Sequence, residues 1–128
     1  MRIGLFVSNV SLAEYFVTAL GLAGHTVSLY STVQDLVSVL AVSASQRGEA
    51  PHEILLLELI LDERGRQTLV GVSGLARELG LPIIVLTTSS RNTIAPAQAA
   101  FPDVCMRQLP LPLRTLFALI QAAWPTQA

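Results

Sequence analysis

The sequence predicts an α/β three-layer sandwich built on a five-stranded parallel sheet, and three observations carry that prediction. Leu55, Leu56 and Leu57 form a continuous apolar run closed by a carboxylate, Glu58; this is the pattern of a strand buried on both faces at the centre of a parallel sheet. A second run, Pro82-Ile-Ile-Val-Leu86, is β-branched and ends at Thr87-Thr-Ser-Ser90. Strand-like runs also alternate with segments of helical spacing five times along the chain. That alternation implies parallel strands joined by right-handed crossovers, with helices on both faces of the sheet.

Each element has its own signature. Ile3 to Val7 reads as the first strand, ending at Ser8-Asn9. Ser11 is expected to cap the following helix with Glu14 as capping-box partner, and Leu12, Tyr15, Phe16, Ala19 and Leu20 are expected to form its buried stripe. Gly21 and Gly24 end it. Thr26 to Tyr30 alternates as a half-buried second strand, and Ser31 or Thr32 opens a helix carrying Val33, Leu36, Val37 and Leu40. Ser43 to Pro51 is polar and reads as a loop or frayed helix end. After the central strand comes the charged stretch Asp62 to Arg66, then helical spacing at Leu69, Val72, Leu75, Ala76 and Leu79, stopped by Gly80. Beyond the fourth strand, Thr93 to Ala100 is a weak helix with Pro96 near its start, where proline is tolerated. Val104 to Met106 is a short fifth strand, Leu109 to Pro112 a turn, and Leu113 to Trp124 the closing helix, with Leu116, Phe117 and Ile120 inward. The arrangement is of the flavodoxin-like (βα)5 kind.

Composition bounds the function. The 128 residues suit one domain, taken as 1–124 with a tail at 125–128. Charged residues are 13% and apolar ones 52%, so the chain is globular. A net charge of -1 offers no basic surface for a nucleic-acid backbone. No run is long and apolar enough for a membrane span, and the polar residues Ser8, Asn9, Ser11 and Glu14 argue against a signal peptide. The single cysteine, Cys105, suits a reducing compartment and reads as a small core residue; a cytoplasmic location is expected. His25 and His52 each precede a strand without metal-ligand spacing and read as surface histidines. Neither a dinucleotide fingerprint nor a hydrolase elbow is present.

In open α/β sheets the carboxyl ends of the strands face the functional crevice, so Glu58 is expected in its floor. A buried carboxylate is costly unless paired or protonated. Its partner is expected to be Thr87, solvent, or one of Arg64, Arg66, Arg91 and Arg107.

An apolar strand ending in an acid at Glu58, the strand Pro82 to Thr87, and Leu109-Pro110-Leu111 before an amphipathic last helix together resemble the receiver domain of two-component response regulators. Thr87 follows Glu58 by 29 residues and Leu109 follows Thr87 by 22, both close to that family's pattern. The resemblance spans nearly the whole chain. It implies a crevice in which paired acids hold magnesium, an aspartate accepts a phosphoryl group, a threonine or serine reads it, and a lysine before a proline completes the site. Here Ser8 and Asn9 replace the acid pair, Glu58 the aspartate and Leu109 the lysine, while Thr87 remains. Thr88 stands where a small residue is preferred, and Met106 where an aromatic is common. Neutral oxygens are poor magnesium ligands, phosphoryl transfer depends on cations, and glutamate is one methylene too long for the attack position.

The chain is thus identified as resembling a degenerate receiver, or pseudo-receiver: no enzyme, with no cofactor and no metal expected. It is expected to signal through protein–protein contact or as a homodimer, independently of aspartyl phosphate. The expected contact face comprises the fourth helix, fifth strand and fifth helix, with Ile94, Phe101, Met106, Leu111, Leu113 and Trp124 as candidates. Glu58 could imitate a permanently phosphorylated aspartate or be an ordinary strand-end carboxylate. Two alternatives stay open: a small-molecule or anion sensor using the crevice around Ser8, Asn9, Glu58 and Thr87, and a residual phosphoacceptor at Glu58 or Asp62, the latter otherwise a turn or helix-capping residue.

Overall fold

A computed structural model describes residues 1–46 and 52–123. Five strands and five helices alternate: β1 (Arg2–Phe6), α1 (Val10–Leu22), β2 (Thr26–Tyr30), α2 (Val33–Gln46), β3 (Ile54–Glu58), α3 (Glu63–Leu79), β4 (Ile83–Thr87), α4 (Arg91–Ala100), β5 (Val104–Gln108) and α5 (Leu113–Ala123). All pair in parallel, in the order β2-β1-β3-β4-β5. The predicted three-layer sandwich is therefore present. Every residue of β3 and β4 is buried, as the continuous apolar runs required.

The sheet separates two cores. Alternate strand residues face opposite sides, so Ile3, Leu5, Leu56, Ile84 and Leu86 meet Phe16 and Leu20 of α1 and Leu116 and Ile120 of α5. Phe6, Leu55, Leu57, Ile83 and Val85 meet Leu36 and Leu40 of α2, Leu69 and Val72 of α3, and Ala97 of α4. Cys105 is half-buried against the first of these cores.

Several expectations need correcting. α1 is capped by Asn9, whose Oδ1 accepts the Leu12 N–H at 3.0 Å. The helix therefore starts before Ser11, and the Ser11–Glu14 capping box does not form. Within α1, Ala13 joins Phe16 and Leu20 in the buried stripe, while Tyr15 is exposed. α3 begins at Glu63, with Asp62 Oδ1 accepting the Gly65 N–H at 2.8 Å; charged residues form its first turn, where apolar spacing gives no signal. α4 begins at Arg91, which puts Pro96 in the second turn, not the first. Of the polar stretch 43–51, residues 43–46 are helical and 47–51 lie outside the described residues.

The histidines also differ from expectation. His52 is buried, and its Nε2 is hydrogen-bonded to the Tyr30 hydroxyl. The room for it comes from Gly4, where a Cβ would stand 2.6 Å from His52 Cδ2. Preceding a strand did not put His52 on the surface, because its ring lies back across the sheet. His25 is half-buried.

Candidate functional site

Strand order reverses between β1 and β3, and a crevice opens at such a switch point beyond the strands' carboxyl ends. Register aligns Phe6 with Leu57 and Glu58 with Leu86. Ser8 just beyond β1, Glu58 ending β3 and Thr87 ending β4 therefore converge at one end of the sheet. Glu58 retains only 8% exposure, and Ser8 Oγ donates to its Oε1 at 2.9 Å. Its partner is thus a neutral hydroxyl, not Thr87 and not an arginine. The ion pairs found among the described residues, Arg2–Glu53 and Arg77–Asp103, lie elsewhere. Of the four arginines considered as partners, Arg107 donates to the Met106 carbonyl, and Arg64, Arg66 and Arg91 are exposed.

Thr87 is fully buried, and its Oγ1 accepts the Ser89 N–H at 3.1 Å. Ser89 is the hub of this end of the molecule. Its Oγ accepts the Leu61 N–H at 3.0 Å, and its carbonyl accepts from Gln108 Nε2 at 3.2 Å. The segments after β3 and β4 are thereby tied to each other and to the end of β5. Sequence reasoning missed Ser89, since a serine inside a Thr/Ser run reads only as loop. The β3–α3 turn is also tight: a Cβ on Gly65 would fall 1.8 Å from the Ile60 carbonyl oxygen.

Leu109, at the position of the family's lysine, donates its N–H to the Thr87 carbonyl at 2.7 Å and packs against the α1–α5 core; the Leu109–Pro110 peptide is cis. An apolar side chain so placed brings no positive charge to the crevice, and the whole chain contains no lysine.

These residues do not fit the magnesium that the resemblance to receiver domains implies. Asn9 Oδ1 is committed to capping α1 and the Ser8 hydroxyl to Glu58, leaving one carboxylate where a hard cation wants several anionic oxygens. Among the described residues no three His, Cys, Asp or Glu side chains cluster as a metal site. Asp62 is occupied as the α3 cap.

Of the expected contact residues, Ile94, Phe101, Leu111 and Leu113 are half-buried. Met106 is buried in the α2–α3–α4 core, because its side chain lies on the inner side of β5. Trp124 lies outside the described residues. No helix among them is long and apolar enough to cross a membrane.

No protein-family model matches the sequence, and no curated protein matches it. Solved structures do. A Burkholderia pseudomallei K96243 protein named as pilus assembly-related is 20% identical with a TM-score of 0.75, over 100% of this chain and 92% of that one. A CheY-like response regulator receiver domain from Methanospirillum hungatei JF-1 is 15% identical with a TM-score of 0.73, over 94% and 90%. A de novo designed Rossmann 2x3 protein reaches 0.71 at 8% identity, over 99% and 94%. A designed sequence matching this well means that the likeness reports shape and not activity. What it establishes is the fold, the flavodoxin-like α/β fold of CheY-like response regulator receiver domains.

Proposed function

We propose that the chain is a non-catalytic, receiver-like regulatory module that acts through protein–protein contact and does not depend on aspartyl phosphorylation. The observation that carries this reading is the environment of Glu58. Its carboxylate takes a hydrogen bond from Ser8 where the family would place metal and lysine. Phosphoryl transfer develops negative charge that cations must offset, and neither Leu109 nor the Ser8–Asn9 pair supplies one. Thr87 supports the same reading, since its hydroxyl is bonded to the Ser89 N–H and not to Glu58.

The test is an amide NMR spectrum with and without magnesium and beryllofluoride, a mimic of the phosphoryl group. The expected result is no shift at Ser8, Glu58 or Thr87. Saturable shifts there would make the domain a working switch and sink the proposal.

A further inference from the structure

The outward side of α1 does not resemble a solvated helix face. Ser11, Tyr15, Thr18 and Leu22 recur at helical spacing and share one side. Leu22 is 85% exposed and Tyr15 49%, where a surface helix ordinarily presents charge. Beside them Ala19 and Ala23 belong to an open groove of about 750 Å³, whose other wall is Leu113 and Phe117 of α5. Glu14 is the only charged residue of α1 and Arg114 the only one of α5, whereas α3 carries Glu63, Arg64, Arg66, Arg77 and Glu78. Apolar side chains and depleted charge on one continuous face mark an interface.

We propose that this α1–α5 face is the contact between two copies of the chain related by a two-fold axis. A two-fold contact requires a surface complementary to itself, and this face holds both halves of the fit. Tyr15 and Leu22 are large exposed side chains and Ala19 and Ala23 small ones along the same groove, so the large side chains of each copy can fill the space beside the small ones of the other. The charges are self-complementary as well. Glu14 and Arg114 belong to the two helices that border the groove, and neither is among the ion pairs of the described residues. Both residues lie near the N-terminal ends of helices that run in the same direction on one face of the sheet, so a two-fold axis running along the groove would set Glu14 of each copy toward Arg114 of the other. Charge pairs at an interface rim fix register and partner choice, and this arrangement selects a second copy over an unrelated apolar helix.

The inference rests on the reading of the chain as a contact module, and its test is separate. Sedimentation velocity on the 128-residue chain over a range of concentrations is expected to show a reversible dimer. Leu22→Asp is expected to weaken it by about 100-fold or more, as loss of a central apolar anchor does; circular dichroism checks that the variant stays folded. Glu14→Arg and Arg114→Glu are each expected to weaken it by roughly 3- to 10-fold, with the double exchange restoring the dimer. A wild-type monomer at every concentration overturns the proposal. So does a dimer indifferent both to Leu22→Asp and to the charge exchange, which would put the contact on another face. A dimer accompanied by beryllofluoride shifts at Glu58 keeps this interface and removes the phosphorylation-independent reading; a monomer without those shifts does the reverse.

Discussion

Glu58 and His52 are both polar residues in the interior, and each is accommodated by a single neutral neighbour. For Glu58 that neighbour is Ser8. Ser8→Ala leaves a nearly buried carboxylate without its hydrogen bond, and the expected loss is about 1 kcal/mol, since the crevice is partly open to water. A urea unfolding midpoint that does not move would mean that water already serves Glu58. For His52 the neighbour is Tyr30. Burial, helped by the nearby Arg2 guanidinium, holds the His52 pKa below its ordinary value, so folding favours the neutral imidazole. The unfolded chain then binds more protons than the folded one as pH drops below about 6.5, the unfolded value. Stability from this group is complete above that pH and is lost as pH falls toward the folded pKa. His25 is shifted in the same direction by burial and the N-terminal ammonium, so a pH series of urea midpoints needs a His52→Gln control. The fall on acidification is expected to be shallower in that variant, and an identical slope would clear His52 of the effect.

At the scale of elements, the free edge of β5 is closed by one side chain. Gln98 of α4 donates from Nε2 to the Val104 and Phe101 carbonyls, and its Oε1 accepts the Met106 N–H at 3.1 Å. This imitates part of a neighbouring strand and blunts an edge that would otherwise recruit another chain. It also explains how α4 persists with Pro96 inside it, where one helical hydrogen bond is missing: the helix is anchored to the sheet by side-chain bonds as well as by Ala97 in the core. Gln98→Ala is expected to cost about 1–2 kcal/mol and to raise the tendency to aggregate, read as urea midpoint and static light scattering. Equal light scattering from the variant and wild type would mean that the β5 edge needs no guard.

For the whole molecule, the sheet's reversal between β1 and β3 brings together segments far apart in sequence, and the resulting crevice is linked by hydrogen bonds. Ligands that bind only the folded state raise its melting temperature by mass action. With Asn9 and Ser8 committed elsewhere, millimolar magnesium is expected to leave the melting temperature unchanged in differential scanning calorimetry. A rise that saturates with magnesium would reveal a cation site and count against the reading of the crevice given above.

The sequence by itself determined the architecture, because apolar periodicity reports which face of each element is buried. The runs Leu55 to Leu57 and Ile83 to Leu86 could only be central strands, and the five-fold alternation with helices left little choice of layering. The resemblance to receiver domains pointed to Ser8, Asn9, Glu58, Thr87 and Leu109, and the strand boundaries alone put Glu58 at the carboxyl end of a central strand. What the sequence could not decide were the partners within the crevice. Ser8 and Glu58 are 50 residues apart, and a hydrogen bond across that separation depends on the register of β1 against β3, which has no local signature. The same holds for Ser89 with Leu61 and for His52 lying over Gly4 toward Tyr30. Only tertiary structure turned Tyr15 outward, Met106 inward and α1 into an apolar surface. A helix with apolar residues on more than one side has several possible inward faces, and the sheet against which it packs selects among them.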